Sequence, residues 1–143
     1  MDVSELRKLI LRAVDDARKD ADARRIRVDE SVKAYEQFLG AVAVPMLRQA
    51  SGIVNASGGT FVVSTPADSV RMSAQHSPDT YLEIALDRNG EEPEVVGRVS
   101  LARGRQGTVI DERVIAPGKP VSKLTEDDLA AYLVASVPRL LLK

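Results

Sequence analysis

This sequence predicts a two-layer α+β fold: a long kinked N-terminal helix, a five-stranded antiparallel meander and a C-terminal helix. Three observations predict it. Apolar residues recur with helical spacing up to about residue 57, alternate with period two from Phe61 to Ile115, and return to helical spacing after Thr125. No helical pattern interrupts the alternating stretch, so its strands should pair as consecutive hairpins rather than through crossovers.

Ser4 is the expected cap of the first helix, whose apolar face starts with Leu6, Leu9, Ile10, Ala13, Val14 and Ala17. From Asp15 to Glu30 eleven of sixteen residues are charged, too many for a helix that must bury a broad face. Opposite charges four apart, Asp15 with Lys19 and Asp20 with Arg24, support such a helix by about 0.2–0.5 kcal/mol per pair. One apolar residue in seven nevertheless persists, at Val14, Ala21, Val28, Tyr35 and Val42, with a second row at Val32, Leu39 and Met46. So thin a seam suits the flank of another helix, as in a coiled coil. Residues 1–31 are therefore expected to form a projecting charged helical stem, and residues 32–143 a single α+β domain.

Within that domain a kinked helix is expected over 32–57. Gly40 and Pro45 should bend it between 41 and 45, because the proline removes one hydrogen bond and clashes with the carbonyl four residues back. Gly58 or Gly59 suits a left-handed C-terminal cap. The sheet should occupy 60–115. Its strands are Phe61–Ser64, then Val70, Met72 and Ala74, then Leu82, Ile84 and Leu86, then Val95, Val99 and Leu101, and finally Thr108–Ile115. Thr125 and Asp128 form a capping box for the last helix, 125–140, with Leu129, Tyr132, Leu133, Val137 and Leu140 on its apolar stripe. Pro138 should end or kink it, and at least one of Leu140, Leu141 and Leu142 must be covered.

Composition narrows the function classes. The formal net charge of −1 gives no global attraction to nucleic acid or an anionic membrane. Cysteine is absent, which removes disulfides, thiol nucleophiles and thiolate metal sites, and with one histidine most zinc geometries go too. No apolar run reaches the length of a signal peptide or a membrane span, so a cytoplasmic location is expected.

His76, beside Ser77 and Asp79, suggests a catalytic arrangement on paper, but no nucleophile-elbow glycines accompany it and a solvated turn is the simpler reading. Asp87, Glu91, Glu92 and Glu94 lack the alternating ligands and central glycine of a calcium loop. Ser57-Gly58-Gly59-Thr60 links helix to strand, the reverse of a phosphate-binding loop. No catalytic residue, metal or cofactor is expected. Arg71, Arg98, Arg103, Arg105 and Arg113 form the basic set best placed to meet a partner or a phosphate. Against that, Glu83, Asp87, Asp111 and Glu112 can pair with them across the sheet.

The order of elements resembles, in topology alone, that of small dimeric nucleoid-associated proteins and of the small acidic secretion chaperones. No diagnostic motif of either stands in the chain, so no functional residue carries over. The expectation is a non-enzymatic interaction or adaptor protein, chaperone-like, that self-associates as a homodimer through Leu6, Ile10, Val14, Ala21, Val28, Tyr35 and Leu39 and meets another protein. The alternative is a dimer that grips duplex nucleic acid with the arginines of its sheet and loops.

Overall fold

The computed structural model describes residues 1–142, which fall into two compact units, Met1–Glu30 and the chain from Ser31 onward. Helix α1 (Val3–Phe38) provides all the helical residues of the first unit. Asp2, not Ser4, caps it: its carboxylate accepts from the Glu5 N–H at 2.8 Å. Asp2 wins because it adds a negative charge at the positive end of the helix. Asp15 pairs with Lys19 at 3.2 Å, whereas Arg25 reaches back to Asp22 at 2.6 Å. No pair joins Asp20 to Arg24 among the described residues. Every side chain from Met1 to Arg27 is exposed, and Val28 is half-buried.

In the second unit α1 continues to Phe38 and passes through a π turn, Leu39–Ala43, into α2 (Val44–Ala56). The Val44 N–H bonds the Leu39 carbonyl, five residues back. The interruption expected at 41–45 therefore takes the form of a widened turn that begins two residues earlier. Such a turn relieves the clash of the proline ring with the preceding helix, and Pro45 then lies in the first turn of α2. The helix closes in a Schellman arrangement: Gly58, at φ 101°, sends its N–H to Asn55, and Gly59 sends its own to Val54.

Five strands follow in an antiparallel meander of order β1-β2-β3-β4-β5: β1 (Phe61–Ser64), β2 (Val70–Ala74), β3 (Ser77–Asp87), β4 (Glu94–Ala102) and β5 (Thr108–Val114). Strand β3 starts earlier than its hydrophobic alternation implies. Ala74 pairs with Ser77 and Ser73 with Tyr81, so Pro78, Asp79 and Thr80 form a bulge. Residues in a bulge drop out of the period-two pattern, and this start was therefore hidden.

Val70, Met72, Leu82, Ile84, Val95 and Val99 share one sheet face and pack with Phe38, Leu47 and Val54 and with Leu129, Leu133 and Leu140 of α3 (Glu126–Leu141). Thr125 and Asp128 make the capping box, and Lys119 adds a 2.6 Å ion pair to Asp128. Helix α3 runs through Pro138 to Leu141, so the proline does not end it. The carbonyl that Pro138 leaves without a partner belongs to Val134, whose side chain is 77% exposed, so water can satisfy it. Leu140 enters the core while Leu141 and Leu142 remain exposed. Among the described residues no helix is long and apolar enough to cross a membrane.

Candidate functional site

The row of interface candidates divides between the two units. Leu6, Ile10 and Val14 lie one helical turn apart and are 47%, 51% and 39% exposed, and Ala21 continues their side of α1. Leu9 and Leu11 flank them, each at least half exposed. Tyr35 and Leu39 depart from the expected seam because the second unit takes them inward. Tyr35 is buried in its core with Leu39 packed against it, and the Tyr35 hydroxyl donates to the Asp68 carbonyl. Burial holds the Tyr35 phenol well above its usual range, reinforced by the nearby Asp68 and Glu83. The free stretch of seam is therefore Leu6 to Ala21.

The five arginines do not form one patch. Arg71 and Arg98 meet at Glu83 on the sheet face away from the core helices. Their strands bring Arg71, Glu83, Arg98 and Glu112 into register across β2 to β5, so the charges alternate along one row. Arg71 donates to Glu83 at 2.7 Å through Nε, and Arg98 reaches the other carboxylate oxygen at 3.1 Å and Glu112 at 3.0 Å. Arg71 also lies 4.0 Å from the centre of the Tyr81 ring. Burial opposes the charge of Arg98, yet the bond to Glu112 and the charge of Glu83 keep its pKa above the ordinary value.

Arg113 lies opposite Gly97 on the helix-covered face. There Asp111 accepts from Arg113 at 3.2 Å and from Arg139 of α3 at 2.6 Å. Arg103 and Arg105 lie apart from both groups, exposed in the turn between β4 and β5.

Sequence reading missed the burial of Glu83, whose side chain is 8% exposed. The matched spacing of opposite charges on four strands was its only signal. The centre of the same face is closed. Ala85 and Ser100 are buried, the latter because the β3 bulge folds over it and the Asp79 carbonyl accepts its hydroxyl at 2.6 Å.

Beside the ladder a cleft of about 370 Å³ lies against the Pro66–Ser69 turn, lined by Arg71, Glu83, Arg88 and Arg98 among others. Ala67 in that turn holds a positive φ of 49°. The cleft offers an anion little, because Glu83 and Glu112 already engage the guanidinium groups of Arg71 and Arg98. His76 occupies the exposed two-residue turn between β2 and β3, and no hydrogen bond joins it to Ser77 or Asp79 among the described residues. No group of three or more His, Asp or Glu residues able to hold a metal occurs among the described residues.

The Asp111 carboxyl is held below the ordinary carboxylate range, first by its bond from Arg139 and further by Arg113. A depressed pKa contributes stability that is present above the unfolded value, near 3.9, and is lost as pH falls through the folded value. Asp111→Asn is therefore expected to lower stability near neutrality, with the difference from wild type shrinking as the pH drops below about 4. Chemical denaturation at a series of pH values checks this, and a difference that grows toward acid would contradict the sign.

No family model, curated protein or solved structure matches this chain.

Proposed function

We propose that the chain is a non-enzymatic interaction module that self-associates through the Leu6–Ala21 stretch of its N-terminal helix, each copy offering its α+β unit to another protein. One observation carries this reading: residues 3–27 form regular helix without a single buried side chain, while Leu6, Leu9, Ile10, Leu11 and Val14 expose much of their surface. A contiguous aliphatic patch in water marks a surface that binds something. A helix also draws most of its stability from packing one face, which nothing within residues 1–27 provides.

A second copy is the occupant the charges favour. Asp15–Glu30 carries six acids and five bases, so it has no excess of one sign to recruit a polyanion and can complement itself. Ile10, Val14, Ala17 and Ala21 follow alternating steps of four, three and four residues, the repeat of a two-helix seam. The nucleic-acid alternative draws no comparable support, because Arg71, Arg98 and Arg113 face carboxylates of their own sheet.

Val14→Asp places a charge in the middle of the seam and is expected to halve the particle mass in sedimentation equilibrium. The strand signal in circular dichroism should stay unchanged, since Val14 lies outside the core of the second unit. A wild-type chain that sediments as a monomer at high micromolar concentration would overturn the proposal, as would a mass indifferent to the substitution.

A further inference from the structure

The two edges of the sheet are treated differently. At β1 the Gln75 N–H bonds the Thr60 carbonyl, which fixes the alternation and turns the backbone groups of Phe61 away from β2. Both are taken by α2. The Asn55 side chain accepts from the Phe61 N–H at 2.7 Å and donates to its carbonyl at 2.9 Å, and Ser51 adds a third bond at 3.2 Å. At Phe61 that edge is closed by the chain itself.

At β5 the Ile115 N–H bonds the Val95 carbonyl at 2.9 Å, so the odd-numbered residues face β4. The N–H and C=O groups of Thr108, Ile110, Glu112 and Val114 then point along the open edge. No hydrogen bond from elsewhere reaches them among the described residues. Val109 and Ile110, on opposite faces of the strand, are 47% and 56% exposed. A seven-residue edge with open backbone and aliphatic side chains on both faces is a template for one more strand.

We propose that this edge pairs, antiparallel and about a two-fold axis at Glu112, with β5 of a second copy, joining two five-stranded sheets into one. The register follows from hydrogen-bond parity and charge. Outward-facing residues must meet outward-facing residues, so even positions oppose even positions. Centring on Glu112 places Ile110 opposite Val114 and Asp111 opposite Arg113, each twice. Centring on Asp111 would oppose Asp111 to itself, and centring on Arg113 would do the same with the guanidinium. Like charges directly opposed are destabilising. Centring on Ile110 opposes no like charges but forms no ion pair, since it sets Asp111 opposite Val109. The Glu112 register gains two Asp111–Arg113 pairs against one Glu112–Glu112 contact, and Arg98 of each copy already lies 3.0 Å from its own Glu112.

This interface is independent of the helical seam. Two isologous contacts on one chain close into a tetramer or extend into an open array. The chain has no cysteine, so single cysteines at 110, 111, 112 and 113 report the register directly. A hydrogen-bonded antiparallel pair sets its Cα atoms about 5.5 Å apart, within disulfide range. Glu112→Cys is expected to form an inter-chain disulfide under mild oxidation at least about tenfold faster than the other three single variants. A mixture of Asp111→Cys and Arg113→Cys should yield the mixed dimer in preference to either homodimer.

Equal rates at all four positions would overturn the proposal, as would fastest linkage at 110, 111 or 113. Sedimentation of Val14→Asp gives a reading that needs no cysteine. Strand pairing leaves that variant a dimer, which Ile110→Lys reduces to a monomer; a Val14→Asp chain that is already a monomer overturns the pairing. If the helical reading fails instead, wild type and Val14→Asp share one mass and the Glu112→Cys linkage persists.

Discussion

Gly97→Ala is expected to cost the second unit about 3 kcal/mol, near the top of the usual range for overpacking a filled core. In thermal unfolding this is a drop of roughly 10 °C for a domain of this size. A methyl group at Gly97 would lie 2.1 Å from the Tyr132 Cζ atom and 2.4 Å from both Cε2 and the hydroxyl. The ring must swing out from between α3 and the sheet, and the contact it seals opens. The opposing effect is smaller: glycine inside a strand costs about 0.5–1 kcal/mol relative to alanine, so the substitution would stabilise if space were free. A cycle with Tyr132→Ala separates the two. Without the ring, Gly97→Ala should become neutral or mildly stabilising, a coupling well above that of unrelated sites. A loss of equal size in both backgrounds would mean that the strand backbone, and not Tyr132, requires the glycine.

That close approach shows where sequence reasoning reached and where it ran out. Alternation located β1 to β4 because each buries apolar residues of one face in the core, whereas β5 alternates without burying any residue. The capping box located α3 because Thr125 and Asp128 sit at the required spacing. A glycine between Val96 and Arg98 looks like a weak point in a strand, and nothing in its neighbours names the tyrosine thirty-five residues on that occupies its space. Tyr35 shows the converse. Its heptad position made it a seam residue, but periodicity places a side chain on a face of its helix and not in one of two competing contacts. The hydrogen bond to Asp68, thirty-three residues away, decided the matter. Pro138 reads as a stop only if the carbonyl it abandons is buried, and burial is a tertiary property.

The row Arg71, Glu83, Arg98 and Glu112 leads to the second large effect. Glu83→Ala is expected to destabilise the fold by about 2–4 kcal/mol, measured by urea denaturation. The figure is somewhat below the 3–5 kcal/mol typical of breaking a buried pair, because Arg71 and Arg98 retain about a third of their side-chain exposure and water can partly solvate them. The loss has two sources. Arg71 keeps its stacking on Tyr81 without an acceptor for its Nε, and Arg98 is left with Glu112 as its carboxylate partner. Glu83→Gln keeps the shape and one acceptor oxygen while removing the charge, and its cost should fall between those of wild type and alanine. Removing Arg71 as well should cost much less than the sum of the two single changes, since the worst consequence of losing Glu83 is a cation with no acceptor. The alternating row also decides what the face can bind. If its arginines were free for phosphate, Glu83→Ala would leave stability nearly untouched and raise affinity for polyanions at low salt. If they serve the sheet, stability falls first, and any gain in polyanion binding accompanies a less stable fold.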